Sequence, residues 1–178
     1  MTLEEIFDVV DRQGRVVGQA TRRQCHGDPR LIHQAVHVII FDRQGRLLMQ
    51  KRSSQKDLQP DKWDISVGGH VQQGERPDEG ARRELQEELG VAVAKLEPAY
   101  EYIWESAIET ELIRAYVTLQ EGPFRPDPAE VAEVRFWSFA EIQGQLQGDA
   151  FTPQFQSEFE RVRAWWQRKQ SSLTHFTR

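Results

Sequence analysis

Three glutamates, Glu84, Glu87 and Glu88, stand at spacings of three and four in the run from Gly69 to Val91. Pro77 suits the first turn of a helix, where its missing N–H costs nothing, and Gly90 suits the position just past a helix end. The stretch therefore predicts a loop at Gly74, a helix from about Pro77 to Leu89, and a further loop. On that helix the three carboxylates crowd one face, while Ala81, Leu85 and Leu89 repeat along another and pack inward. Like charges on adjacent turns repel, and a divalent cation removes the penalty. Hard oxygen ligands at this density suit Mg2+ or Mn2+, which keep several waters and bind substrate phosphates. Three glutamates by themselves are more often a solvated acidic face, so the chemistry rests on the wider pattern.

That pattern resembles the Nudix signature. Gly69, Glu75, Arg83, Glu84, Leu85, Glu87, Glu88, Gly90 and Val91 match G-x5-E-x7-R-E-U-x-E-E-x-G-U, U being aliphatic, at every specified position. The resemblance implies a Nudix fold, an α/β/α sandwich around a mixed β-sheet. It also implies hydrolysis of a nucleoside diphosphate linked to another moiety. In such enzymes Glu84, Glu87 and Glu88 would hold the cation, Arg83 would steer a glutamate by ion pairing, and Glu75 would support the loop. A metal lowers the pKa of bound water and neutralises phosphoryl charge, so that water can attack a pyrophosphate in line.

Composition limits the alternatives. The length of 178 residues fits a single domain, divided into an N-terminal hairpin and metal-site segment (1–33), a core (34–138) and C-terminal helices (139–178). The net charge of −5 argues against a broad electrostatic hold on a nucleic-acid polymer. No apolar run reaches membrane-spanning length, and Glu4, Glu5 and Asp8 interrupt the start of the chain, which is unlike a signal peptide. A single cysteine, Cys25, rules out an internal disulfide, and the cytoplasm is the expected compartment. Strand edges leave monomer and homodimer equally open.

In chain order, Ile6 to Val10 and Val16 to Gln19 flank Asp11-Arg12-Gln13-Gly14-Arg15, a hairpin signal. The same five letters at Asp42 to Arg46 separate Ala35–Phe41 from Leu47–Gln50. Thr21 to Ile32 reads as a short turn or helix and a loop, and Lys51 to Lys62 as a basic loop. Trp63–Val67, Val91–Leu96, Ala99–Trp104, Glu111–Leu119 and Val134–Phe139 are expected strands, with a proline-rich loop from Gly122 to Pro128. Phe139 to Leu146 is expected to be a short helix. A longer one opens at Thr152-Pro153, with Phe155, Phe159, Val162 and Trp166 as its buried stripe.

A second constellation lies outside the signature. Cys25 to His33, Ser66 to His70 and Ile108 to Glu111 resemble the segments that supply the metal site of type I isopentenyl-diphosphate isomerases, a branch of the Nudix superfamily. That resemblance assigns His26, His33, His70, Glu109 and Glu111 to a second cation. Glu109 and Glu111 alternate by two and would face one side of a strand. Mixed imidazole and carboxylate ligands accept Zn2+, Mn2+ or Mg2+. Arg22, Arg52 and Lys56 resemble the residues with which the isomerases grip a diphosphate.

Three departures favour hydrolysis over isomerisation. The isomerases use a cysteine acid before the signature glycine, and here that position is Gly68. They carry arginine and an aromatic residue where this helix has Glu84 and Glu87. They also place a tryptophan where Gln154 follows Thr152-Pro153. Glu84 or Glu88 is the expected base, with Glu130 or Glu133 as a further candidate carboxylate. Trp63, Tyr102 and Trp104 are candidates to stack on a base or cover an apolar tail, although burial is the commoner fate of such side chains.

Overall fold

The computed structural model describes residues 4–174, so the outermost residues of the two terminal segments lie outside the described residues. The elements are β1 (Ile6–Val10), β2 (Val16–Thr21), α1 (Arg22–Cys25), β3 (Ile32–Phe41), β4 (Leu47–Arg52), β5 (Trp63–Asp64), β6 (Val67–His70), α2 (Pro77–Leu89), β7 (Glu97–Glu105), β8 (Thr110–Leu119), β9 (Val131–Trp137), α3 (Phe139–Gln145) and α4 (Pro153–Thr174).

The repeated pentapeptide builds the same turn twice. Asp11 Oδ1 accepts from the Gln13 and Arg15 N–H groups, and Asp42 Oδ1 from those of Gln44 and Arg46. In each turn the arginine Nε donates to the other oxygen of the aspartate at 2.6 Å. Gly14 and Gly45 sit at φ of +80° and +78°, where a side chain would be strained.

The nine described strands form one mixed sheet centred on β3. Strand β3 runs parallel to β8 along its whole length and antiparallel to β6 over Ala35–Val38. It meets β4 only at Phe41↔Leu47, where their hairpin closes, and β4 pairs instead with β5 and β9. The buried Ser66 hydroxyl bridges this divergence, accepting from the Ile40 N–H and donating to the Leu48 carbonyl.

Alternation along β3 sends its two sets of side chains to different layers. Val36, Val38 and Ile40 pack with Ala81, Leu85 and Leu89 of α2. Ile39 and Phe41 pack with Phe155, Phe159 and Val162 of α4 on the other face. The α/β/α expectation is thus met. No helix among the described residues is long and apolar enough to cross a membrane.

Four local expectations need correction. Val91–Leu96 forms no strand: the Val91 N–H turns back to donate to the Leu85 carbonyl of α2, and the Val93 carbonyl accepts from Arg82 Nη1 of the same helix. Val91, Val93 and Leu96 nevertheless join the core beneath that helix. Trp63–Val67 divides into β5 and the start of β6. The expected Val134–Phe139 strand is shifted to Val131–Trp137, since Ser138 caps α3 by accepting from the Glu141 N–H. In α4, Trp165 completes the fully packed stripe, while Trp166 is only partly buried against Phe41 and Gly45.

Candidate active site

Helix α2 is defined at both ends as the sequence implied. Pro77 opens it, the Glu79 carboxylate accepts from the Arg76 N–H, and Gly90 closes it at φ +63° with its N–H donating to the Gln86 carbonyl. Gly69 lies in β6 against this helix, and a Cβ there would overlap the Glu84 carboxyl. Absence of a side chain at Gly69 is therefore what lets Glu84 approach the sheet.

One guanidinium organises the acidic face. Arg83 donates through Nε and Nη2 to the two Glu75 oxygens at 2.9 and 3.0 Å, and through Nη1 to Glu84 at 2.7 Å and Glu87 at 3.0 Å. Its Nη2 also donates to the His70 carbonyl at 2.9 Å. Glu75 in turn accepts from the Gln72 N–H at 2.9 Å. Burial alone would push the Glu75 carboxyl up, but Arg83 and the Gln72 amide hold it below its ordinary range. Glu75 is thus tied to the loop preceding the helix, and Arg83 to the glutamates.

Glu84 and Glu88 differ from Glu87 in solvation. The Glu87 side chain is exposed, whereas Glu88 is 5% exposed and accepts from Gln50 Nε2 at 3.1 Å. Burial, with Glu84 and Glu130 nearby, pushes the Glu88 carboxyl up to about 8, against the opposing pull of Lys56 and Gln50. Burial also raises Glu84, against the pull of Arg83. Lys56 pairs with Glu130, which places both beside Glu88. Glu133 instead points outward from β9.

The histidine and glutamate residues of the second constellation do converge. Ligand atoms of His26, His33 and His70, and of His33, Glu109 and Glu111, form groups lying within 4.8 Å. His26 Nε2 is 3.3 Å from both His70 Nε2 and Glu109 Oε2, and His70 Nε2 is 3.3 Å from Glu111 Oε1. Both ring nitrogens of His33 and Glu109 Oε2 are buried without a hydrogen-bond partner. Orphaned nitrogen and oxygen acceptors facing one point fit a divalent cation better than a protein hydrogen-bond network. Burial lowers His26 and His33 to about 4, so both imidazoles are neutral near pH 7, as ligands must be. Burial and Glu111 raise Glu109 to about 7. For Glu111, burial is outweighed by His70 and the other histidines, which hold it at about 2.

Glu109 is not on the strand, as its alternation with Glu111 implied. It closes a turn before β8, its carbonyl accepting from the Ser106 N–H and hydroxyl. Its carboxylate reaches the cluster all the same. Arg22 and Arg52 both act on Glu109 electrostatically, and Arg52 also donates to the Leu58 carbonyl and lies 3.5 Å from Asp64. Arg22 is 3.5 Å from Glu5. The three basic residues thus ring the site from two sides, Lys56 beside the α2 glutamates and the arginines beside the histidines. Of the aromatic candidates, Tyr102 is buried in the sheet face, and Trp63 meets Trp137 edge-to-face with ring centroids 5.2 Å apart. Trp104 packs partly buried beside Ala35 and Tyr102.

Sequence reasoning missed three partners. Gln50 holds Glu88, and Gln154 donates to Glu111 Oε2 at 2.6 Å. His37 faces Glu158 at 2.7 Å. Strand periodicity could have placed His37 on the face of His33, four residues earlier, but nothing local announces Glu158.

This acidic helix on a mixed sheet defines a hydrolase of one known class. Residues 31–167 match the NUDIX domain, and the chain belongs to the Nudix family. It is 36% identical over 149 residues to an uncharacterized Nudix hydrolase of Yersinia pestis, covering 84% of this chain and 80% of that one. It is also 32% identical over 164 residues to the isopentenyl-diphosphate Delta-isomerase of Streptomyces avermitilis, covering 89% and 83%. Among solved structures, DR0079 of Deinococcus radiodurans superposes with a TM-score of 0.77 at 26% identity, covering 90% of this chain and 98% of that one. Nudix enzymes generally use divalent metals such as Mg2+.

Proposed function

We propose that this chain cleaves a pyrophosphate linkage in a nucleoside diphosphate derivative or a related organic diphosphate. The observation that carries the reading is Glu88, a carboxylate buried beside Glu84 and Glu130, whose charge Gln50 and Lys56 offset too weakly to outweigh burial. Such a group is costly unless a cation completes it. Glu84, Glu87 and Glu88 would hold Mg2+ or Mn2+, and His26, His33, His70, Glu109 and Glu111 a second ion, Zn2+, Mn2+ or Mg2+. A bound divalent cation makes water nucleophilic near neutral pH and neutralises phosphoryl charge.

The side chains supply the rest. Glu88, or Glu84 beside it, accepts the proton of the attacking water. Arg22, Arg52 and Lys56 bind phosphoryl oxygens, Lys56 leaving Glu130 to do so. Arg83 and Glu75 keep the glutamates in place. The substrate is a small molecule, and the expected compartment is the cytoplasm.

The His/Glu cluster and the Streptomyces relative favour a second reading, isomerisation of an isoprenoid diphosphate. Gly68 has no proton to give such a reaction. Both readings are tested together by supplying nucleotide diphosphates and isopentenyl diphosphate with Mg2+, Mn2+ or Zn2+. Hydrolysis predicts released phosphate or mononucleotide, abolished by chelation and by Glu87→Gln. Allylic diphosphate without hydrolysis would replace this reading with the second.

A further inference from the structure

His37 lies outside both ligand sets, yet it is a buried imidazole paired with a buried carboxylate. It stands on the same face of β3 as His33, opposite Gly68 of β6 and Ala115 of β8. The residue is 4% exposed, and its Nδ1 lies 2.7 Å from Glu158 Oε2. Glu158 is fully buried on α4, and its other oxygen accepts from the Tyr100 hydroxyl at 2.9 Å. Burial alone would strip the second proton from His37, but Glu158 outweighs it and the imidazole is pushed up to about 9. Both ring nitrogens therefore carry protons near pH 7.

One of those protons has a partner and the other has none. Among the described residues Nε2 makes no hydrogen bond. Its edge of the ring faces Gly68, where a Cβ would sit 3.3 Å from Cδ2 and 3.5 Å from Nε2. Gly68 is partly exposed, so this side of the ring is the one open toward the site. The Tyr102 hydroxyl, on the neighbouring row of the same face, also lies within the influence of Glu158. A buried ion pair is commonly replaceable by apolar side chains without loss of stability, so stability alone does not account for this one. A cationic N–H on a largely buried ring, open only along the edge beside Gly68, is adverse to hydrocarbon placed there and favourable to an oxygen acceptor.

We propose that His37, oriented by Glu158, reads an oxygen acceptor on the part of the substrate beyond its diphosphate, and so selects hydroxyl- or carbonyl-bearing diphosphates over hydrocarbon-tailed ones. The inference rests on the diphosphate site of the preceding section. His37 is a specificity residue in it, and Glu158 a positioning residue.

The test uses two non-cleavable methylenebisphosphonates of equal length, one with an isopentenyl tail and one with a 3-hydroxy-3-methylbutyl tail, titrated calorimetrically into the full chain with Mg2+. The native protein should bind the hydroxylated compound on the order of tenfold or more tightly, as a hydrogen bond to a charged donor implies. His37→Phe should abolish that preference. Should His37→Phe fail to fold because Glu158 is stranded, the double variant His37→Leu/Glu158→Leu removes both charges and should show the same loss. Equal binding of the pair by the native protein, or a preference that survives either variant, overturns the role of His37 alone, provided methylenebisphosphonate itself binds. Failure of methylenebisphosphonate to bind overturns the diphosphate reading and this inference with it.

Discussion

Replacing Glu88 with glutamine should stabilise the protein in the absence of metal while destroying its activity. The carboxyl has an ordinary value of 4.5 and is pushed up to about 8 in the fold, first by burial and then by Glu84. The folded chain thus holds this proton over a range where the unfolded chain has lost it. Stability contributed by the protonated acid is full below 4.5 and falls as pH rises toward 8. At pH 7 the loss spans 2.5 pH units, which at about 1.4 kcal/mol per unit is at most about 3 kcal/mol. Glutamine does not ionise and can keep the Gln50 hydrogen bond, so Glu88→Gln should recover about that amount at pH 7 and less than about 1 kcal/mol at pH 5. Urea unfolding with EDTA at the two pH values measures the difference directly. Addition of Mg2+ should then stabilise the native protein more than the variant, which keeps Glu84, Glu87 and the His/Glu cluster but lacks one ligand. A variant destabilised at pH 7, or equally shifted at both values, would show that Glu88 carries no suppressed charge, and the argument for a cation there would fail.

Three further outcomes are expected. Gly69→Ala should lower turnover by on the order of a hundredfold and lower the melting temperature as well, since the new methyl pushes the buried Glu84 side chain off its Arg83 hydrogen bond. Gly90→Ala should cost about 1 kcal/mol in urea unfolding, because a side chain at φ +63° is strained and its Cβ would press on Arg125. Arg83→Lys cannot reproduce the fork to Glu75 together with the bonds to Glu84, Glu87 and the His70 carbonyl. It should cost about 2 kcal/mol and at least tenfold in activity, read by unfolding and steady-state kinetics.

The acidic helix was legible because its logic is local. Pro77, Gly90 and spacings of three and four fix its ends and its faces without reference to the remaining chain. The two Asp-Arg-Gln-Gly-Arg turns were legible for the same reason. Contacts across the sequence were not. His37 and Glu158 are 121 residues apart, and Gln50 and Glu88 are 38 apart, so no periodicity announces either pair. Resemblance to the isomerases indicated Gln154 as a missing tryptophan, whereas the structure gives it a polar task of its own on Glu111. Val91–Leu96 failed for a different reason. Val91, Val93 and Leu96 do pack beneath α2, but the Val91 N–H and the Val93 carbonyl are bonded to that helix rather than to a neighbouring strand.

Helix α4 sends Gln154 to Glu111 and Glu158 to His37 from the last stretch of the chain. During synthesis from the amino terminus, these two groups emerge after every candidate metal ligand and every signature glutamate. A chain lacking α4 would leave Glu111 without its amide and His37 without its counter-charge, and would also bare the sheet face on which Phe155, Phe159 and Val162 pack. Docking of α4 therefore completes the core and the polar settings of Glu111 and His37 in one step, and a fusion that hinders it should impair folding and ligand binding together.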